Sequence, residues 1–202
     1  MTNNFHDIIK ECFLQVERKY LEQNTVILSR NKYNERVFCY EFYHQLRLNS
    51  EKFRNLIITG EAVKSEFQFK NLGSNKTPDI LIHNFGTIDN NEVVIEVKTS
   101  KNKASILKGL KKDFTTLDLF TDNSTVKIDY KLGIYILFNF DFFSLLNESD
   151  RVLGHVKKIV KRNKRIVLWN IPTPQFDSNN KLNYDSLIIY SNDELKKRFA
   201  AH

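Results

Sequence analysis

A continuous apolar run in the second half of the chain constrains the fold more than any other feature of the sequence. The segment KLGIYILFNF, at 131–140, lacks polar alternation, which is typical of a strand buried on both faces of its sheet. Helical patterns of apolar residues precede and follow it, over 104–120 and about 149–163, and RIVLWN at 165–170 predicts another strand. This order predicts an α/β fold in which helices flank a mixed central sheet.

Composition limits the class of protein. The chain has 202 residues, of which 41% are hydrophobic, with only 6 Gly and 3 Pro, so we expect one globular domain over 1–202 rather than a collagen-like or disordered chain. Two cysteines are too few for a disulfide scaffold, and the sequence has no secretory signal or membrane-length apolar run. We therefore expect a soluble cytoplasmic protein with no membrane partner. The net charge of +7 is compatible with a polyanionic partner but does not establish one.

The domain is expected to have three parts. Apolar residues at helical spacing predict an N-terminal helix over 5–22. The core covers about 34–140 and begins with a helix that Asn34 can cap. The third part, over 149–190, is predicted to contain a helix followed by strands. Its last apolar run, at 186–190, either joins the central sheet or pairs across the interface of a homodimer.

The strongest chemical signal lies in two neighbouring apolar runs, PDILIH and EVVIEVK, which predict a β-hairpin. Residues alternate between the two faces of a strand, so Glu96 and Lys98 share one face of the second run. Asp79 follows a proline that presets an extended entry into the first run. Antiparallel pairing then brings Asp79 close to Glu96 or Val97, so two carboxylates and an ammonium converge at one end of the hairpin.

This convergence predicts a metal site. Two carboxylates in one place repel each other unless a cation compensates their charge. Oxygen ligands are those that Mg²⁺ or Mn²⁺ prefers, so Asp79 and Glu96 are candidate ligands. Lys98 then stands where an ammonium can hold an attacking water and stabilise charge in the transition state. The structural alternative is that Glu96 and Lys98 form a solvated cross-strand ion pair and that Asp79 belongs to a turn.

Glu41 adds a carboxylate from the helix that starts at Asn34. The segment ERVFCYEFYHQLRL is aromatic nearly all round, so Glu41 is buried if its face of the helix packs on the sheet. A buried glutamate needs a partner, and Arg36, Lys98 or the metal are the candidates.

Taken in order, Glu41, Pro78-Asp79 and Glu96-Val97-Lys98 resemble the motif of the PD-(D/E)xK superfamily, the restriction-endonuclease-like nucleases. The resemblance covers about 34–140 and includes the αβββαβ order of elements. The surrounding segments RVFCYEFYHQLR, PDILIHNFG and NNEVVIEVKTS resemble a bacterial branch of that superfamily. The resemblance depends on the conjunction of both strand motifs with an upstream helix glutamate, because each motif alone is common.

The resemblance implies a restriction-endonuclease-like αβββαβ core and a Mg²⁺ cofactor, with Mn²⁺ as a substitute. It implies that Asp79 and Glu96 ligate the metal and that the Val97 carbonyl completes the shell. Glu41 is expected to support the metal directly or through water. Lys98 is expected to act on the attacking water.

Basic residues after the hairpin are the best candidates for contacts with a nucleic-acid backbone. Lys64, in a strand predicted within 61–70, and His83, on the strand face of Asp79, are further candidates, and an edge charge and a strand-end histidine are the structural alternatives. A second basic cluster, over 157–165, is typical of a solvated helix face. The residues of the first group, which run from the proposed active strand into the next helix, are Lys101, Lys103, Lys108, Lys111 and Lys112.

These patterns favour one function. The sequence has no nucleotide-binding glycine loop, zinc-protease motif or serine-nucleophile elbow. We therefore expect a Mg²⁺-dependent endonuclease that acts on nucleic acid, with DNA favoured as the partner. The alternative is a noncatalytic nucleic-acid-binding or interaction module with the same fold. Asp79, Glu96 and Lys98 together favour the enzyme, because a binding module has no need of all three.

Overall fold

Helices and strands alternate along the chain in a computed structural model of the protein, which describes residues 5–24, 31–54, 56–60, 78–84, 91–122 and 129–201. None of the helices within these ranges combines the length and the apolar character needed to cross a bilayer. In chain order the elements are α1 Phe5–Leu14, α2 Arg18–Leu21, β1 Glu22–Asn24, β2 Asn31–Tyr33, α3 Glu35–Leu48, β3 Ile57–Gly60, β4 Ile80–His83, β5 Asn91–Lys98, α4 Lys103–Thr121, β6 Tyr130–Phe138, α5 Phe142–Leu146, α6 Asp150–Arg162, β7 Ile166–Ile171, β8 Ile188–Tyr190 and α7 Asn192–Ala200.

A six-stranded mixed sheet lies at the centre, in the order β3-β4-β5-β6-β7-β8. β3, β4 and β5 form an antiparallel meander, β6 and β7 run parallel to β5, and β8 is antiparallel to β7. α4 connects the parallel strands β5 and β6, which need a crossover of this kind. The predicted α/β fold with a helix-flanked mixed sheet is confirmed.

Apolar side chains cover both faces of the sheet. On one face, Phe13 of α1 packs with Phe38 and Phe42 of α3. On the other face, Phe114 of α4 belongs to a second core that also contains side chains of α5, α6 and α7. The apolar run of β6 is buried from Gly133 onward, as its composition predicts. The face of β5 that carries Glu96 and Lys98 is therefore the face that α4 covers.

The N-terminal helix is shorter than predicted. α1 ends at Leu14 and the short helix α2 begins at Arg18, so the prediction of one helix over 5–22 is wrong. The Arg18 backbone N–H donates to Asn180 O at 2.7 Å, and Glu17 forms an antiparallel bridge with Lys181. Backbone pairing with a distant segment thus replaces the i→i−4 bonds that would continue the helix.

The C-terminal region contains more structure than predicted. β8 joins the sheet, with Ile189 opposite Trp169 of β7, and a homodimer stays a prediction. α7 follows directly, and its first turn is closed by a capping box between Ser191 and Glu194. The strand predicted within 61–70 lies outside the described residues.

Asn139 connects the carboxyl ends of the three parallel strands. Its φ is 70°, in the left-handed region that Asn tolerates better than most residues with a side chain. Its backbone N–H donates to Ile171 O of β7 at 2.9 Å, and its side-chain amide donates to Thr99 O, just after β5, at 2.8 Å. The strand ends are thereby tied together at one edge of the sheet.

Candidate active site

The end of β5 carries the residues that the sequence motif singles out. Ile80 of β4 lies opposite Ile95 of β5, and Asp79 comes directly before β4 in the chain. The Val97 N–H donates to Asp79 Oδ2 at 2.8 Å, and the Asp79 N–H donates to Ile95 O at 3.1 Å. The fold therefore brings Asp79 to β5, as the hairpin pattern predicts.

Lys98, the last residue of β5, is held between two helices. Its Nζ donates to Glu35 Oε1 at 3.1 Å and lies 3.7 Å from Asp113 Oδ2. Glu35 is the first residue of α3, and Asp113 lies in the middle of α4. The Lys98 side chain is only 20% exposed, so most of it lies in the interior. Glu96 is 5% exposed, so the alternative of a solvated ion pair between Glu96 and Lys98 is wrong.

The carboxylates and Lys98 shift each other's protonation. Burial, the largest single influence, lowers the pKa of Lys98, but the nearby carboxylates, with Asp113 and Glu35 foremost, outweigh it and hold the pKa above its usual value. Burial raises the pKa of Asp113 to about 6 against the opposing effect of Lys98. Lys98 is therefore an ammonium at neutral pH, and Asp113 gives up its proton less readily than an ordinary aspartate.

Tyr135 faces the same group of charges from β6. It is paired with Glu96 in the parallel register and is fully buried. Burial raises the pKa of Tyr135 well above its usual value, and the carboxylates of Asp113 and Glu96 add to this effect. Within the described ranges, neither the Tyr135 hydroxyl nor Asp113 Oδ2 has a hydrogen-bond partner. Buried polar atoms of native proteins generally have a hydrogen-bond partner, so two such atoms without one in the same place are unusual.

Glu41, the helix glutamate of the motif, has a described partner on its own helix, and its support of a metal stays a prediction. It is buried, as its helix pattern predicts, but it accepts a hydrogen bond from Gln45 Nε2 at 2.6 Å. Glu35 is the α3 carboxylate that contacts Lys98. The two glutamates are six residues apart, which in a helix means about 9 Å along the axis and about 120° around it. The described contacts therefore put Glu35, rather than Glu41, beside the ammonium.

His83 is part of the interior rather than of the site. Its side chain is 6% exposed, and its Nδ1 donates to Asn84 O at 2.9 Å. Since a backbone carbonyl only accepts, the other nitrogen, Nε2, accepts from Thr59 Oγ1 at 2.9 Å. His83 is four residues from Asp79, which in an extended chain means about 13 Å. The structural alternative for His83 is thus favoured, and Lys64 lies outside the described residues.

The first basic group reaches the neighbourhood of the site. Lys112 directly precedes the site residue Asp113 and lowers its pKa. Lys103 forms an ion pair with Glu148. Exposed side chains are found at Lys101, Lys103, Lys108, Lys111 and Lys112. Their contact with a nucleic-acid backbone stays a prediction.

The second basic cluster has a structural role in part. Arg162 pairs with Asp118 of α4, and Arg165 pairs with Asp129, just before β6. Arg165 also donates to the backbone carbonyls of Thr121 and Tyr130 at 3.2 Å. These arginines connect α6 and β7 to their neighbours, so they are not free to bind a ligand.

The donor set at the end of β5 is small. Among the residues that the structure describes, no group of three or more His, Cys, Asp and Glu side chains is placed to hold a metal ion. A site made of Asp79, Glu96 and the Val97 carbonyl has only two such side chains, so it is not of that type. Its three oxygen donors are of the kind that Mg²⁺ takes together with water.

Two site residues escape the motif. Both contact Lys98, but Glu35 lies 63 residues before it and Asp113 lies within the next helix, outside the motif. A signal for Asp113 is nevertheless present, because it stands among Leu110, Phe114 and Leu117 on the apolar face of α4. A charge on a buried helix face indicates a partner in the fold.

Comparisons with known proteins add no functional information. No family model, no curated protein and no solved structure matches the chain. Function therefore has to be argued from the site itself.

Proposed function

We propose that the protein is a metal-dependent nuclease that hydrolyses phosphodiester bonds in nucleic acid, most of all in DNA. The observation that carries the proposal is the convergence of Asp79, Glu96 and Lys98 at one end of β5. Two carboxylates and an ammonium at the carboxyl edge of parallel strands suit a phosphate that a divalent cation and a lysine neutralise together.

The order of elements supports this proposal. From α3 to β6 the order is αβββαβ, with three antiparallel strands and a fourth strand parallel to the third. A restriction-endonuclease-like core has this order, so we propose that fold for about 34–140. The fold alone does not establish catalysis, which depends on the residues of the site.

Mg²⁺ is the proposed cofactor, with Mn²⁺ as a substitute. Asp79, Glu96 and the Val97 carbonyl would hold it, because they supply oxygen donors at one strand end. Held there, such a cation would supply positive charge to neutralise the scissile phosphate. The Val97 N–H fixes Asp79 Oδ2 at 2.8 Å, which orients this carboxylate before any ligand arrives.

Lys98 acts as a cation rather than as a base. Its raised pKa keeps it protonated at neutral pH, so it can donate hydrogen bonds to the attacking water and stabilise negative charge in the transition state. Glu35 holds the ammonium from α3. The exposed lysines of α4 add backbone contacts that do not depend on base sequence.

The purified protein is tested on plasmid DNA, single-stranded DNA and RNA in the presence of Mg²⁺ or Mn²⁺. Asp79→Asn and Lys98→Met are expected to lower the cleavage rate by roughly 10²–10³-fold, because each removes charge that acts on the reacting phosphate. EDTA is expected to abolish cleavage. Asp7→Asn and Lys158→Met change exposed residues of α1 and α6 and are the matched controls that retain the rate.

Metal binding provides a readout that does not need turnover. Mg²⁺ is expected to raise the Tm of the wild-type protein and not that of Asp79→Asn, because a ligand that binds only the native state stabilises it. Cleavage that persists unchanged in both site variants contradicts the proposal. A protein that binds nucleic acid but cleaves none of the three substrates is the noncatalytic module instead.

A further inference from the structure

Gly109 of α4 faces the Lys98 side chain. A Cβ at this position would lie 3.0 Å from Lys98 Cε and 3.4 Å from Asp113 Oδ2. Glycine in a helix interior costs about 1 kcal/mol relative to alanine, so its presence in the middle of α4 calls for a reason. The reason is space, because any side chain here would press on the aliphatic part of Lys98. Gly154 of α6 is different, since a Cβ there would meet nothing within 4 Å.

Asp113 stands one helical turn after Gly109, on the same face of α4. Its side chain is 4% exposed, and its Oδ2 lies 3.7 Å from Lys98 Nζ. Among the described residues that oxygen has no hydrogen-bond partner. Burial disfavours the charge on this carboxylate, and Lys98 offsets the cost only in part, since the pKa of Asp113 stays raised. Asp113 therefore matters for something other than stability.

We infer that Gly109 and Asp113 form a positioning device for Lys98. Gly109 leaves space for the Lys98 side chain to lie along α4. The Asp113 carboxylate attracts the ammonium from α4, and Glu35 accepts a hydrogen bond from it on α3. The two attractions hold Nζ near Asp79 and keep it out of solvent. Asp113 touches no substrate and acts through Lys98. The catalytic part of this inference rests on the proposed function, and the anchoring part does not.

Anchoring is tested by urea unfolding of Lys98→Met, Asp113→Asn and the double variant at pH 7. Lys98→Met is expected to lower the urea midpoint, because Asp113 is then buried beside other carboxylates with no ammonium. Asp113→Asn is expected to raise the midpoint more in the Lys98→Met background than in the wild type. Independent effects that simply add in the double variant overturn the inference, since they mean that the two side chains are not coupled.

Positioning is tested by kinetics, with Asp118→Asn as the matched variant. Asp118 is also a buried carboxylate of α4, but it pairs with Arg162 and Asn163. Asp113→Asn is expected to lower kcat about 10-fold with KM within about twofold, although the variant is the more stable protein. Asp118→Asn is expected to lower stability and leave kcat unchanged. Equal kcat values for Asp113→Asn and the wild type overturn positioning.

The two experiments fail separately. A wild-type protein that cleaves no substrate refutes the proposed function, and the unfolding cycle still decides whether Asp113 anchors Lys98. If the unfolding cycle shows coupling but kcat is unchanged, Asp113 anchors Lys98 and the reaction does not depend on the precise position of the ammonium.

Discussion

Two buried carboxylates of α4, five residues apart, lie in opposite situations. Asp118 accepts from Arg162 and from Asn163 Nδ2 at 3.1 Å, and Asn163 also donates to Thr121 Oγ1 at 2.7 Å. Asp113 has only the Lys98 ammonium at 3.7 Å and leaves one oxygen unbonded within the described residues. A buried charge with a complete set of bonds serves the fold, whereas a buried charge with an incomplete set is more typical of a functional site. α4 thus carries a structural carboxylate, Asp118, near its C-terminus and a site carboxylate, Asp113, near its middle.

The largest effect is expected from Asp118→Ala. The substitution removes the acceptor of two donors and leaves the Asn163 amide short of a partner in the interior, so the free energy of unfolding should fall by about 3 kcal/mol. Urea denaturation measures it, with Asp7→Ala on the surface of α1 as the control at under about 0.5 kcal/mol. A loss of stability as small as that of the control would mean that packing alone holds the C-terminal part of α4.

A smaller and pH-dependent effect is expected from Asp113→Asn. Burial raises the pKa of Asp113 to about 6, above its value in the unfolded chain, so the protonated form is favoured in the folded state. The stabilisation that protonated Asp113 gives the folded state is complete below about pH 4 and is lost as the pH rises through about 6. Asp113→Asn has no charge to bury. Between pH 4 and pH 7 its free energy of unfolding should therefore rise by roughly 2 kcal/mol relative to that of the wild type. Urea midpoints across that range measure the gain, and a constant difference would mean that Lys98 compensates the charge fully.

The smallest effect is expected from the two helix glycines. Gly154→Ala should raise the free energy of unfolding by about 0.5–1 kcal/mol, because alanine is the better helix former and its Cβ meets nothing. Gly109→Ala should gain less or lose stability, because its Cβ meets Lys98 Cε at 3.0 Å. Thermal unfolding of both variants measures the difference. Equal gains in stability would show that Lys98 moves aside freely. Asp113 would then differ less from Asp118 than the contacts indicate.

Local patterns predict the sheet and its neighbours well. Asn34 precedes a helix and its side chain accepts from the Val37 N–H, as an N-cap does. The alternation in EVVIEVK separates Val97 from Lys98, and the structure places them in different layers of the fold. These features depend on residues near each other in sequence or on a single hairpin. They can therefore be inferred without knowing how distant segments pack.

The partners of Lys98 could not be inferred in the same way. Glu35 is 63 residues from Lys98, and its contact depends on how α3 approaches the end of β5. Glu41 fits the motif better by position, but the described contact with Lys98 comes from Glu35 at the start of α3. The break after Leu14 similarly depends on backbone pairing between Arg18 and Asn180. By contrast, the Ser191 to Glu194 capping box was a local signal for α7 that the sequence interpretation overlooked.

Asn139 has a consequence for the rigidity of the site. By tying Thr99 and Ile171 to the end of β6, it prevents the three parallel strands from fraying independently at the edge where Lys98 stands. A β-branched residue at 139 would resist the φ of 70°, and glycine would accept that φ but lose the amide that reaches Thr99. Asn139 therefore supplies both the left-handed turn and the hydrogen bond to Thr99, so its replacement is expected to loosen the strand end that carries Lys98.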